Sequence, residues 1–242
     1  WACACGGDVY KNGVSQSWGN KDWNAICVAR NGDVWACAYG GDVYKNGVSQ
    51  SWDSQYWSDI CAAPNGDIWA TYYSGTIGAV FKNGNLQSGW PDANWTAICA
   101  ASNGDIWGVV IDGSFDGIYK NATLTYAVTE EWWDISIAPN GDVWSCTGPL
   151  GPQSDVYKNG VSQSWGGGWW SSINVALNGD VWACTYEITQ NVFKNGVNQG
   201  WPTLQWISIF TAPNGNVWAC TDGDDVYSFN QGSGDVLFGT LP

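Results

Sequence analysis

The sequence contains no histidine and no methionine. Without imidazole there is no Ser-His-Asp or Cys-His triad, no histidine metal ligand, and no ordinary side-chain base that titrates near neutral pH. Without a starting Met, the chain is expected to begin after processing or to be a piece of something longer; no signal peptide is visible. Positive charge is scarce, with 8 Lys+Arg against 22 Asp+Glu and a formal net charge of −14, and six of the eight cations recur in one repeated turn. No basic stripe exists to neutralise phosphates, so neither nucleic acid nor an anionic membrane is an expected partner. The apolar runs are only a few residues long, too short for a helix to cross a bilayer. Charged residues are 12% of the chain and hydrophobic residues 45%, which excludes a disordered polyelectrolyte and leaves enough apolar surface for a core.

What is abundant is tryptophan and glycine, 20 and 32 in 242 residues, and both recur at fixed spacing. The segment NGDVWAC from Asn31 returns in close copies from Asn65, Asn103, Asn140, Asn178 and Asn214. The segment DVYKNGVSQSW from Asp8 returns from Asp42 and Asp155, with looser copies around Phe81, Tyr119, Phe193 and Tyr227. Trp-x-x-Ile runs from Trp23, Trp57, Trp95 and Trp170, with variants at Trp132–Ile135 and Trp206-Ile207. One unit therefore reads as four short strands, approximately 23–29, 33–37, 42–45 and 48–52. Asn-Gly turns, which favour tight hairpins, close the first and last pairs. Strands this short cannot bury a face alone, and sheets of four must stack on their neighbours. The expectation is an all-β fold, a β-propeller of four-stranded antiparallel blades forming a single domain over residues 1–242. Six copies carry all four strands, and the chain opens inside a second strand at Trp1-Ala2-Cys3. Seven blades, the first lacking one strand, are favoured, with six as the alternative. The missing strand would be lost by truncation or supplied by a neighbouring chain, which makes self-association or a partner strand an expectation there.

Copy-to-copy length changes fall almost entirely between the second-strand Trp and the third-strand aromatic, as in Trp35→Tyr44 against Trp69→Phe81 and Trp144→Tyr157. In a meander that loop shares a face with the connection to the next blade, opposite the Asn-Gly turns, and loops varying on a constant scaffold are where specificity sits. The connection carries Trp-x4-Trp at Trp18/Trp23, Trp52/Trp57, Trp90/Trp95, Trp165/Trp170 and Trp201/Trp206; the fourth unit departs, with Val128 in the first place. The second Trp of each pair, like Trp35 and its equivalents, reads as packing. The first (Trp18, Trp52, Trp90, Trp165, Trp201) lies in or beside the loop, where exposure and burial are evenly balanced; an exposed indole suits the apolar face of a sugar ring. Asp8, Asp42 and Asp155 open the third strand on the same face; they would accept sugar hydroxyls or, the more ordinary role, close the loop. The Asp after each Asn-Gly is expected to close its turn, since no calcium-loop clustering accompanies it, and the repeated lysines are expected to be solvated.

The nine cysteines are odd in number and their two repeated positions seldom co-occur, so they read as buried thiols, with no metal site and no cofactor. Asn94-Trp-Thr96 and Asn121-Ala-Thr123 are N-glycosylation sequons. No pair of carboxylates separates from the repeat as an acid/base couple, so an enzyme is not the expectation.

Trp-x-x-Ile, then Pro-Asn-Gly, a hydrophobic-aromatic strand and Val-Tyr-Lys, as in Trp57–Lys82 with Pro64-Asn65-Gly66, resembles the short-blade propellers of the tachylectin-2 and tectonin type. The resemblance covers nearly the whole chain and implies sugar binding between blades. By position it falls on Trp18, Trp52, Trp90, Trp165 and Trp201, with Asp42 and Asp155 beside them. The blades here are shorter, and the polar residues of the tachylectin-2 pocket have no clear counterparts. The VWAC…GGDVYKNG phrasing also resembles repeat propellers of phage tail and virion-associated proteins. The expected function is thus a non-enzymatic, multivalent carbohydrate-binding module whose partners are glycans or glycoconjugates, secreted or virion-associated. The alternative is a structural or host-adsorption subunit of a larger assembly that binds protein partners.

Overall fold

Asn-Gly in a two-residue hairpin demands left-handed backbone at both positions, and the turns between third and fourth strands supply it: φ is 48° at Asn46 and 82° at Gly47, with near-identical values at Asn83-Gly84, Asn159-Gly160 and Asn195-Gly196. The first turn is built differently from the expectation of two like turns. Gly32 (φ 87°) is left-handed while Asn31 is not, Gly32 N–H donates to Ala29 O, and Ala29 N–H donates to Asp33 O. That is the longer hairpin loop, a type I turn closed by a left-handed glycine.

The computed structural model describes residues 1–242 except 54, 76, 112–115, 128–130, 149–153, 167, 188–190, 223–224, 231–233 and 241–242. All described elements are strands. An opening three-stranded sheet (Ala2–Cys3, Val9–Lys11, Val14–Ser15) precedes six four-stranded antiparallel blades. Blade 1 comprises Trp23–Val28, Val34–Gly41, Val43–Lys45 and Val48–Ser49. The first strands of blades 2 to 6 are Gln55–Ala62, Trp95–Ala100, Trp132–Ile137, Trp170–Val175 and Trp206–Thr211. The chain falls into two compact units, Trp1–Thr125 and Tyr126–Pro242.

Within each blade the first-strand Trp reaches across the second strand to the aromatic of the third. Trp23 meets Tyr44 edge-on at 5.0 Å, and Trp95–Tyr119, Trp132–Tyr157, Trp170–Phe193 and Trp206–Tyr227 repeat the contact. The residue paired with that third-strand aromatic is small every time (Ala36, Ala70, Gly108, Ser145, Ala183, Ala219). At Gly108 a Cβ would stand 2.9 Å from the Trp95 ring, which shows how little room the crossing leaves.

First strands of successive blades within a unit lie against each other and are bonded by side chains of the earlier blade to the main chain of the later. Asp59 accepts from Ile98 N–H (2.7 Å), Asp134 from Ile173 N–H (2.9 Å), Ser136 from Val175 N–H (3.1 Å), and Asn174 from Thr211 N–H (3.0 Å). Asn24 donates to Trp57 O and Ser171 to Trp206 O. A bulge follows each first-strand Trp, as between Trp23 and Ala25 or Trp132 and Asp134, which frees the next side chain to point away from the ladder.

The two turns of a blade are locked to each other, which confirms that they share one face. In blade 1 the Asp33 carboxylate accepts from Asn31 and Asn46 amides and pairs with Lys45 at 2.8 Å, while Asn46 Oδ1 accepts from Val34 N–H. Lys82–Asp67, Lys120–Asp105, Lys158–Asp142 and Lys194–Asp180 repeat it. Asp33 and its equivalents thus close the turns as expected, but the lysines are not simply solvated. Each ammonium also sits over the second-strand Trp of its own blade, 5.5 Å from the ring centre for Lys45 over Trp35. Sequence reading missed this because Lys and Asp are 12 to 16 residues apart and meet only through the hairpin register, as with Trp35 opposite Lys45. The sequon Asn121 is the same turn residue, bonded to Ile106 N–H and to Asp105, and Asn94 donates to Gly75 O; both amides already hold the fold.

These contacts make the fold acid-sensitive in one direction. Hydrogen bonds from Lys158, Asn159 and Asn140 hold the Asp142 carboxyl down to about 2, against an ordinary 3.8. Asp33, Asp67 and Asp105 are lowered by their lysines first, and at Asp180 the same partners outweigh a burial effect of opposite sign. A carboxyl lowered on folding contributes stability that is fully present above its unfolded value and lost as pH falls through its folded one. The buried Asp134 is raised by burial and works the other way, contributing below 3.8 and losing that contribution as pH rises through its folded value. With Asp8, where burial is outweighed and the carboxyl lowered by its own hydrogen bonds, six groups stand against one, so unfolding free energy is expected to fall as the pH drops from about 4 toward about 2. Asp142→Asn should make that fall shallower by at most one proton; an unchanged slope in acid denaturation would remove the lock as its cause.

Candidate functional site

The five Trp residues that open the Trp-x4-Trp pairs do not present open faces. Trp52 is 9% exposed and Trp201 2%, while Trp18, Trp90 and Trp165 are half-buried. Each acts as a wedge between rings: Trp35–Trp52–Trp57, Trp69–Trp90–Trp95 and Trp144–Trp165–Trp170 are continuous chains of tilted and edge-on contacts 5.1–6.3 Å apart. Three of the rings also lie on the glycine of the following blade's third-to-fourth-strand turn, so that a Cβ at Gly47 would stand 3.0 Å from Trp18, one at Gly84 2.9 Å from Trp52 and one at Gly196 3.0 Å from Trp165. Glycine suits both the positive φ and that contact, although blade 3 holds Ala122 at the equivalent place with φ 69°. Val128 lies outside the described residues; the ring on Gly160 is that of Tyr126.

Asp42 and Asp155 are occupied in the same construction. Asp42 Oδ1 accepts from Val43 and Trp52 N–H (2.7 and 2.8 Å), and Oδ2 from Ser51 N–H (2.8 Å) and the Ser49 hydroxyl. Asp155 holds Ser162, Ser164 and Trp165 likewise, and Asp8 holds Ser15, Ser17 and Trp18. At Asp8, burial raises the carboxyl, but the Ser15 hydroxyl and three main-chain N–H groups outweigh it and hold it below 3.8. The closing role is the one observed. Of the two balanced readings of the wedge residues, burial prevails, because these carboxylates bend the chain after the fourth strand and turn the indole inward.

The exposed aromatics lie elsewhere on the face of the variable loops. That those loops and the inter-blade connections share a face is visible where Ser154, in a loop, donates to Gly168 O, in a connection, and where Gly78 N–H donates to Asp92. Just beyond the last sheet bond, two residues face each other in a blade: the one before the first-strand Trp and the one four after the second-strand Trp. Tyr39 N–H donates to Asp22 O (2.7 Å), Tyr186 to Trp169 O (2.8 Å) and Asp222 to Gln205 O (3.0 Å). These rim positions vary, the first in every copy and the second outside a Tyr shared by three. The first reads Asp22, Tyr56, Asn94, Glu131, Trp169, Gln205, and the second Tyr39, Tyr73, Ile111, Gly148, Tyr186, Asp222. A column-by-column comparison of the copies would have found them, since they diverge beside columns that are almost invariant.

In the first unit, Tyr39 and Tyr56 stack at 4.8 Å and are 45% and 46% exposed. Their strands continue past the blade and pair, Tyr39 with Tyr56 and Gly41 with Gln55, joining blades 1 and 2 into one sheet. In the second unit, Trp169 packs on Tyr186 at 4.6 Å and meets Trp133 at right angles at 6.4 Å. Trp133 stands at the blade 4 bulge and is 37% exposed. The Tyr186 hydroxyl donates to Asp222 Oδ2 (3.1 Å), and that bond and the carboxylate charge raise the Tyr186 hydroxyl above its usual range.

Among the described residues no group of three or more His, Cys, Asp or Glu is arranged to hold a metal ion. Burial pushes the Cys27 thiol up to about 12 and raises those of Cys37, Cys61, Cys146 and Cys184 as well, the direction for inert packing groups.

No family model matches the chain, and no curated protein sequence does. Solved structures do. Virginiamycin B lyase from Staphylococcus aureus superposes with a TM-score of 0.62 at 11% identity, over 90% of this chain and 84% of that one. The WD40 β-propeller domain of Doa1 gives 0.61 at 14%, over 89% and 81%. YCF48 bound to D1 peptide gives 0.59 at 10%, over 90% and 81%. The fold is a β-propeller. Six four-stranded blades and one three-stranded sheet agree with a count of six to seven. At these identities the likeness concerns the propeller scaffold alone, which hosts lyases, peptide binders and other functions.

Proposed function

We propose that this propeller is a non-enzymatic, multivalent carbohydrate-binding protein whose sites lie on the rim of the variable-loop face. The observation that carries the reading is the Trp133–Trp169–Tyr186 group with Asp222, exposed or half-exposed aromatic rings beside a polar acceptor at positions the repeat leaves free to diverge. Ring faces next to hydroxyl acceptors suit a pyranose, whose C–H face is apolar and whose edge is polar. The Tyr39–Tyr56 pair would be a second, weaker site, and two weak sites add by avidity on a glycan-coated surface. The likeness to the tachylectin-2 and tectonin pattern supports the ligand class, with the contact moved from the wedge residues to the rim. A secreted or virion-associated setting follows from that reading.

The test is a glycan array printed at two densities with wild type and Trp169→Ala. A defined sugar class bound more strongly at high density, and weakened about tenfold or more by Trp169→Ala, is expected. Silence of folded wild type across the array would overturn the reading in favour of a structural subunit with protein partners.

A further inference from the structure

The two faces differ sharply in charge. Seven of the eight cations (Lys11, Arg30, Lys45, Lys82, Lys120, Lys158, Lys194) belong to the turn ends of their blades, and five of these are paired with the turn aspartates. The eighth, Lys21, lies over the Tyr44 ring at 5.2 Å. In the second unit the sequence has only Lys158 and Lys194, both tied to Asp142 and Asp180. Its variable-loop face therefore has no cation, while Glu131, Glu187, Asp222 and Asp225 stand at that end. An anionic ligand approaching Trp169 would meet carboxylates and no counter-charge, whereas a protonated amine would meet both carboxylates and the electron-rich faces of Trp133, Trp169 and Tyr186. Asp222 is exposed, and its carboxylate is held beside the Tyr186 ring through one oxygen, which leaves it oriented for a second donor.

We infer that the Trp133–Trp169–Tyr186–Asp222 rim selects glycans that carry protonated amines, such as oligomers of de-N-acetylated hexosamine, and rejects acidic glycans. This rests on the carbohydrate-binding reading and names the ligand within it. The sugar ring would stack on Trp169, with its ammonium shared between the ring faces and Asp222. Removing the ammonium's charge by N-acetylation would remove both attractions while leaving the stacking surface intact.

Calorimetric titration at about pH 6, where carboxylates are ionised and an aliphatic amine is protonated, tests it. The probes are a glucosamine oligomer, its fully N-acetylated counterpart, an oligogalacturonate and a lysine-rich peptide, each at low and high salt. The glucosamine oligomer is expected to bind about tenfold or more tightly than the N-acetylated one, and the oligogalacturonate not at all. Added salt and Asp222→Asn should each weaken it, and Trp169→Ala should abolish it while the protein stays folded. Equal or better binding of the N-acetylated oligomer would overturn the inference and leave the carbohydrate reading standing. Binding that survives Trp169→Ala would be diffuse attraction to an acidic protein, and overturns the inference too. A lysine-rich peptide that binds as well as the glucosamine oligomer and is lost in Trp169→Ala would assign the rim to basic proteins instead. No binding of any sugar, here or on the array, would remove both proposals.

Discussion

Trp170→Ala is expected to lower the unfolding free energy by about 3–5 kcal/mol, the range for deleting a fully buried large aromatic. Trp170 has no exposed surface and joins Trp165 at 6.0 Å to Phe193 at 5.0 Å, with its indole N–H donating to Gly166 O. Its removal opens a cavity between two strands that no neighbour can fill, because the second strand between them offers only Ala183. Trp169→Ala, one position earlier, should cost about 1 kcal/mol or less, since that ring lies on the rim and closes no core. Urea unfolding of the two variants side by side is the measurement. A Trp169 variant as destabilised as the Trp170 one would show that the rim cluster is core, and would remove the ground for the ligand site.

The second large effect is at Asp155. Removing a nearly buried carboxylate that accepts from Ser164 and Trp165 N–H and the Ser162 hydroxyl leaves donors without acceptors, and Asp155→Ala is expected to cost about 3 kcal/mol. The protein contains its own control. Blade 5 has Asn191 at this place, whose Oδ1 accepts from Val192 N–H and whose amide donates to Trp201 O. There the left-handed residue before the wedge Trp is Gly200 (φ 70°), where the Asp-containing copies have Ser17, Ser51 and Ser164 at φ 55–58°. The carboxylate's bond to the serine N–H is what holds a non-glycine residue in that conformation. Asp155→Asn alone should therefore be clearly destabilising, and Ser164→Gly added to it should recover part of the loss. A double variant no better than Asp155→Asn would disprove this coupling.

The hairpins and blade boundaries were legible because their determinants are local: Asn-Gly, a small residue between two aromatics, and a strict period. The Lys–Asp–Trp lock was not, because its members lie on different strands and meet only through register. Trp52 and Trp165 were ambiguous for a related reason. Their sequence neighbours mark a loop, but their orientation is decided by Asp42 and Asp155, ten residues away. The strand link between Gly41 and Gln55 had no signal, since neither residue favours a strand. The rim was readable in principle. Tyr56, Trp169, Tyr186 and Asp222 stand in columns that disagree from copy to copy, but attention to what repeats hides what does not.

The bonds between first strands run one way: a side chain of the earlier blade meets the main chain of the later one, as Asp59 meets Ile98 and Asn174 meets Thr211. A blade therefore receives its predecessor mainly through groups that every residue except proline possesses. Two side chains add to this on the receiving side, Ser172 donating to Asp134 and Thr211 to Asn174, so a duplicated or transplanted blade would need an intact backbone there above all and a hydroxyl second. Gene duplication could lengthen such an array, or exchange one blade for another, with little compensating change in the neighbour that follows.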